Sequence, residues 1–261
     1  MSYISDKIER DAQHKYTTPI GPLASVTTIT NVIDAGKSGA LVGWAVRETC
    51  NYIEKCLPTE AEALIGMPTL RDVIARARKE SAKQRDEAAN IGKIVHDMAE
   101  MWGQAHLKGV PFETGIDADT NPLVVQAWNA FMEFVARTGV RPSITEMMVY
   151  SRKHKYAGTF DLVAQGKYPH MRLAKNYLID YKTGTVVPKS HGPQLAAYAQ
   201  AYEEMTGETV DGIAVLALDK VTGEPTWVDF SKDRSKHWRV FKSAVKLYEA
   251  LNNGKRGGRR T

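Results

Sequence analysis

Cysteine is scarce in this chain: of 261 residues only Cys50 and Cys56 carry a thiol. They form no CxxC pair and no Cys/His cluster accompanies them, which excludes a zinc knuckle and an iron–sulfur cluster. Both are expected as free thiols in a reducing compartment. The sequence also lacks an apolar run of the roughly 18 to 20 residues that crosses a bilayer. Residues Met1–Tyr16 mix Asp6, Lys7, Glu9 and Arg10 and lack the apolar core of a secretory signal. The expectation is a cytoplasmic protein with no membrane partner. A strong charge of one sign is missing too. The formal net charge is +5, but Lys255, Arg256, Arg259 and Arg260 lie within the last eight residues, and without them the rest carries +1. Charge alone therefore does not establish nucleic-acid binding.

What is present is enough apolar residue, 43%, for a chain of this length to build a core without staples. The reading along the chain gives a polar N-terminal arm at 1–24, one domain over 25–253, and a basic, Gly-rich flexible tail at 254–261. Within that domain a helical part spans about 38–140 and a sheet core about 141–253. Ser25-Val26-Thr27-Thr28-Ile29-Thr30 fits either a short strand or a capped helix start. Helical spacing recurs from Gly39 to about Cys56, from about Leu70 to Leu107 with a break near Asn90-Ile91-Gly92, and from Pro122 to Thr138 with Gly139 as the stop. After Pro142 the period changes, and the segments become short and rich in β-formers. Strands are predicted at Ile144–Tyr150, Gly158–Ala164, Tyr177–Lys182, Ile213–Leu218 and Thr226–Phe230. Helices are predicted at about Pro193–Met205 and Asp233–Leu251. This order implies an α/β core, a central mixed sheet flanked by helices, with a helical N-terminal region.

Two strands carry charge where a buried strand should have none. In Asn176–Gly184, alternation sends Tyr177, Ile179 and Tyr181 to one face and Leu178, Asp180 and Lys182 to the other. An acid and a lysine on one face of an apolar strand are costly without partners. In Tyr156–Val163, Asp161 stands mid-strand between Phe160 and Leu162. Two carboxylates on neighbouring strands repel unless they share a cation, and hard divalent ions take this kind of oxygen donor set. Taken singly, each segment also fits a surface salt bridge or a turn.

Together these segments resemble the PD-(D/E)XK nucleases, and specifically their RecB-like branch. Gly158-x-x-Asp161 and Asp180-x-Lys182 match the core motifs. An upstream G-x-x-x-H is matched by Gly92 and His96, and a downstream Q-x-x-x-Y by Gln194 and Tyr198. The resemblance implies a restriction-endonuclease-like fold and a Mg²⁺- or Mn²⁺-dependent deoxyribonuclease. It makes Asp161, Asp180 and Lys182 catalytic, and it makes His96, Asp161, Asp180 and the backbone carbonyl of Tyr181 metal ligands. Glu146, on the preceding strand and facing the same way as Ile144 and Met148 by alternation, is a further candidate acid, with a structural role as its alternative. Gln194 and Tyr198, one helical turn apart, together with Lys189 and Arg47, are candidate DNA contacts. Plainer readings stand beside these. His96 pairs with Glu100 at i,i+4, Gln194 and Tyr198 sit on an amphipathic helix, His191 is a solvated loop residue, and Trp44 beside Arg47 is a core residue.

One mark of some RecB-like nucleases is absent, the four cysteines of an iron–sulfur cluster. The expectation is accordingly a small, cluster-free exonuclease of the kind phages often encode, acting on DNA ends or single strands in replication, repair or recombination, with proteins of those processes as partners. A structure-specific or restriction-like endonuclease is the alternative within the enzyme class. A catalytically inactive DNA-binding protein on the same fold is the alternative outside it. A helical scaffold protein with a basic tail leaves the charged strands unexplained.

Overall fold

The computed structural model describes residues 7–11, 15–36, 43, 45–53, 70–184, 187–188 and 190–253. They divide into two compact units, one of Met1–Ile33 with Ile94–Thr261 and one of Asp34–Lys93. In the second unit, residues 45–53 are helical and the first half of a long helix follows. None of the described helices is long and apolar enough to cross a membrane.

Among its described residues the first unit is built on eight strands. They are β1 (Glu9–Arg10), β2 (Tyr16–Thr18), β3 (Gly21–Ser25), β4 (Arg141–Ser151), β5 (Tyr156–Gly166), β6 (Lys175–Lys182), β7 (Gly212–Leu218) and β8 (Pro225–Asp229). The helices are α1 (Val26–Thr30), α2 (Leu70–Lys108), α3 (Pro122–Thr138), α4 (His191–Thr206) and α5 (Arg234–Asn253). The sheet runs β1-β2-β3-β5-β6-β7-β8, with β4 on β5 as well. The β3–β5 and β6–β7 pairs are parallel and the others antiparallel. This mixed sheet with flanking helices is the restriction-endonuclease-like architecture.

Local chemistry sets the element ends. Ser25 caps α1 by accepting from the Thr28 amide at 3.0 Å. Asn121 caps α3 through the Leu123 amide, Pro122 pre-sets the first turn, and Gly139 closes the helix at φ 58°. α2 continues through Asn90-Ile91-Gly92, where the sequence suggested a break. An internal glycine costs a helix about 1 kcal/mol relative to alanine, which weakens it without ending it. The larger departure is N-terminal. The stretch expected as a polar arm carries β1, β2 and β3, and β3 adds to the central sheet through Ala24↔Tyr156 and Ser25↔Ala157.

α4 is the crossover between the parallel strands β6 and β7, and it is buried around most of its surface. One core packs α4, α5 and α1 onto the sheet, with Val163, Leu178, Ile213, Val215, Leu195 and Phe241 fully buried. Each such side chain contributes about 1.5–3 kcal/mol. Elsewhere Phe134 of α3 stacks on Trp227, and Tyr168 stacks on Trp227 at 4.6 Å.

A side chain at Gly158 would run into the Tyr198 ring and Val26, so α4 approaches β5 closely only because that residue is glycine. Gly158→Ala is expected to destabilise the fold by about 1–3 kcal/mol, read as a lower urea midpoint at unchanged slope. An unchanged midpoint would show that the contact can relax freely.

Candidate active site

One edge of β5 is shared by two strands. β3 pairs with Tyr156 and Ala157, and β6 pairs from Leu162 to Gly166, while β4 occupies the opposite edge. Among the described residues the segment Gly158–Asp161 therefore has no ladder partner on the shared edge, and the sheet has a notch there. Asp161 stands at its rim. Leu162↔Ile179 is the last β5–β6 pair, and one more step would set Asp161 opposite Asp180. Instead Asp161 Oδ2 accepts the Tyr181 backbone N–H at 2.6 Å. The N–H and C=O of one strand residue point to the same edge, so the Tyr181 carbonyl is aimed at the notch as well.

On the other side of β5, Thr145↔Leu162 and Met147↔Phe160 bracket Glu146, which stands opposite Asp161. Glu146 has φ 47°, a left-handed conformation that costs a non-glycine residue about 1–3 kcal/mol. It breaks strand alternation. Ile144 and Met147, three apart, both pack on the α4-side core, while Met148 joins the N-terminal cluster around Tyr16 and Tyr150. The expected sharing of one face by Ile144, Glu146 and Met148 is thus corrected. β5 breaks in the same place, since Phe160 and Val163 both face that core. Glu146, Asp161 and Asp180 consequently form one row across three strands.

The row is completed by His96 and Lys182. His96, on α2, sets Nδ1 3.3 Å from Asp161 Oδ1, and its ring meets Tyr181 edge-on at 5.7 Å. Glu100, its i,i+4 neighbour, instead accepts from Gln104 Nε2 at 2.6 Å. Lys182 forms an ion pair with Asp180, whose side chain is only 5% exposed. The oxygen Lys182 meets is Asp180 Oδ2, which is buried and has no other polar partner among the described residues. Beyond Asp180, β6 stays paired to β7 through Lys182↔Ala217, so its charged end rests on a continuous ladder.

Burial and mutual repulsion set the charges. Burial opposes ionisation of His96, but the Asp161 carboxylate outweighs it and raises the His96 pKa. Asp161 is likewise penalised by burial, yet His96, Lys182 and the Tyr181 amide hold it below its usual value. Asp180 is raised, because burial, aided by the Asp161 charge, overcomes the pull of Lys182. Lys182 is raised, because Asp180 and Asp161 together overcome its burial. Glu146 is pushed from 4.5 to about 7 by burial first, then by Asp161 and Glu100, with Arg10 and His96 opposing.

The remaining expected residues are distributed unevenly. Gln194 Nε2 donates to Tyr198 Oη at 3.2 Å, and both residues are buried. With the Tyr198 ring against Gly158, this pair supports β5 from behind the notch. His191 is buried at the start of α4, its Nδ1 3.1 Å from Pro188 O, where a solvated residue was expected. Arg47 is exposed on the helical residues 45–53 of the other unit. Lys189 and Trp44 lie outside the described residues. Two charged neighbours were not foreseen as site residues. Arg10 on β1 keeps its charge despite partial burial, being held by Tyr16, Glu146 and Tyr198. Glu100 faces Glu146 from α2. For Glu100 the i,i+4 spacing from His96 was a usable signal, whereas Arg10 had none.

Among the described residues, no three His, Cys, Asp or Glu side chains converge closely enough to enclose a metal ion. Asp161 is engaged by His96 and Tyr181, and Asp180 by Lys182. The donor set still fits a hard divalent cation, because two carboxylates and an imidazole line one notch. A restriction-endonuclease-like sheet with acids and a lysine where a ladder opens defines a class of metal-dependent nucleases. The sequence profile of the PD-(D/E)XK nuclease superfamily matches residues 70–258, and the chain belongs to that superfamily. No curated protein sequence matches it. Solved structures do, among them one described as "Crystal structure of SSO0001". It is 12% identical over 47% of this chain and 58% of that one, with a TM-score of 0.27, too low to carry argument. The chain thus spans little more than half the length of that structure.

Glu146 supplies a test of these electrostatics. Its folded pKa of about 7 lies above the unfolded 4.5, so the cost of ionising it is absent below 4.5 and complete above 7. Metal-free Glu146→Gln is therefore expected to match wild type at about pH 4 and to exceed it by about 1–2 kcal/mol at about pH 8, after discounting for partial solvation. Thermal melts in chelator at the two pH values check this. An equal difference at both would show that Glu146 is not held in its neutral form.

Proposed function

We propose that this chain is a Mg²⁺- or Mn²⁺-dependent DNA exonuclease of the RecB-like, cluster-free kind that phages often carry. The observation that supports this most is the row of Glu146, Asp161 and Asp180 with Lys182 at the point where the β5–β6 ladder opens. Asp161, Asp180, His96 and the Tyr181 carbonyl would hold the cation, with Glu146 as an adjoining acid. When bound, a divalent cation polarises the scissile phosphate and lowers the pKa of water.

The chain's own residues divide the remaining work. Lys182 stands on a rigid strand end, with its charge retained by Asp180 and Asp161. In the reaction its ammonium orients the attacking water and steadies charge growing on the phosphate oxygens. For that it must leave Asp180, which becomes free to do so when another cation answers the carboxylate. His96 keeps Asp161 ionised, and the Tyr181 amide fixes which carboxylate oxygen faces the notch. Gln194 and Tyr198 hold β5 in place beside Gly158. Arg10 adds a cation near Glu146.

The second reading is an endonuclease, which the same row of acids with Lys182 would serve. An inactive DNA-binding protein is the reading of another class, against which the intact Asp161, Asp180 and Lys182 stand. End-labelled linear and covalently closed circular DNA, incubated with Mg²⁺, Mn²⁺ or chelator, separate the three. The expected result is metal-dependent loss of linear DNA with circles spared. Lys182→Ala is expected to lower kcat by about 10²–10⁴-fold while retaining a cooperative melt. Nicked circles would establish the endonuclease, and absence of cleavage of either DNA with either metal would leave the binding protein.

A further inference from the structure

Outside the notch, positive charge gathers where the β4–β5 turn meets α5. The turn reads Ser151-Arg152-Lys153-His154-Lys155, and its tip is pinned rather than loose. Glu204 accepts from Ser151 Oγ at 2.7 Å and from the Lys153 amide at 3.1 Å, and Lys155 closes the turn at φ 56°. The turn docks on α5 through the His154 ring, edge-on to Trp238 at 4.9 Å, and Lys242 Nζ lies 5.7 Å from the same indole. Trp238 in turn stacks on Phe241, which is buried in the core.

α5 continues the charge. Arg239, Lys242 and Lys246 are exposed and share a stripe at i, i+3 and i+7, and the helix holds one acid, Glu249. Arg234 is taken by Glu203 at 2.6 Å. Among the described residues, by contrast, Lys153, Lys155, Arg239, Lys242 and Lys246 have no acid within ion-pair distance. In a chain whose residues before 254 carry a formal charge of only +1, such one-sign clustering on two docked elements is a local excess. The stripe also leads along the sequence toward Lys255, Arg256, Arg259 and Arg260.

We propose that Lys153 and Lys155 of the β4–β5 turn, with Arg239 and Lys242 of α5, form a docking surface for the phosphodiester backbone of DNA, separate from the notch. This rests on the nuclease reading only for the choice of polyanion. The pinned turn and the helix present cations on rigid supports, so little conformational entropy is lost when phosphates settle on them. Arg239 to Lys246 spans about 10 Å of helix, roughly three phosphate spacings along a strand. Tyr156, beside the turn, precedes Asp161 by five strand residues, about 16 Å. A backbone held on this surface thus lies about five nucleotides from the notch. The surface reads no bases; it retains flanking DNA while the notch acts on a bond.

The test is anisotropy of a labelled duplex with the full-length protein in chelator, so that binding is read without cleavage. Lys153→Gln, Lys155→Gln, Arg239→Gln and Lys242→Gln are combined in one variant. The expected result is at least about tenfold weaker binding near physiological salt, with the salt slope reduced by about 2 to 4. With metal, KM for DNA rises by a similar factor while kcat at saturation is unchanged. The charge-preserving set Lys153→Arg, Lys155→Arg, Arg239→Lys and Lys242→Arg restores affinity. A glutamine variant that melts like wild type and binds with wild-type affinity and slope overturns the proposal, even if cleavage is intact. Weakened binding in a protein that cleaves nothing keeps the surface and rejects the nuclease reading.

Discussion

The hydrogen bond from the Tyr181 amide to the Asp161 carboxylate decides how this sheet ends. A strand amide facing a neighbour must be satisfied, and the ordinary donee is the carbonyl of the next ladder pair. Here a side chain takes that place at 2.6 Å, one step past Leu162↔Ile179. The β5–β6 ladder stops, yet β6 does not fray, because its other edge continues against β7 to Lys182↔Ala217. The outcome is a strand end rigid on one side and open on the other. Asp180 and Lys182 project from it with their backbone fixed, which suits groups that must hold a geometry.

The same opening depends on distant parts of the chain. β3 claims the first two residues of β5 and leaves the next four unpaired, so the notch has two walls made from segments more than a hundred residues apart in sequence. Gly158 lets Tyr198 approach the unpaired stretch from α4, and Gly103 lets α2 approach Thr145 of β4 from elsewhere. α2 thereby brings His96 to Asp161. Each approach replaces a side chain with a neighbour's ring or methyl group, so packing and site geometry are set by the same contacts.

Much of this was legible in residue order. Short runs rich in β-formers marked β4 to β8, and Asp161, Asp180, Lys182 and His96, singled out from the sequence, lie together in the structure. Two features resisted reading for definable reasons. β1 and β2, of two and three residues, are too short to show a period, and β3 is held by a parallel contact with β5 that no local pattern announces. Arg10 was unreadable on the same account. Glu146 was misplaced because alternation assumes uniform extended backbone, and a single residue at φ 47° inverts the face of everything after it.

The charges around the notch do not balance without help. Lys182 answers Asp180, and His96 answers Asp161, but Glu146 has only the opposing pull of Arg10 and His96 against burial and two acids. The protein meets the deficit with protons. His96 is raised and Glu146 sits at about 7, so near neutrality the metal-free notch holds protons that the unfolded chain would release. Under the proposed reading, binding of a divalent cation competes with those protons and with the Lys182 ammonium for the same oxygens. Affinity for the cation must then rise with pH until Glu146 is ionised. The ammonium would be freed from Asp180 when the acids have another partner, so the lysine would become available to substrate only then. A row of acids costly to the fold and a lysine bound to one of them are, on this argument, two halves of one device, and neither would persist as a packing feature alone.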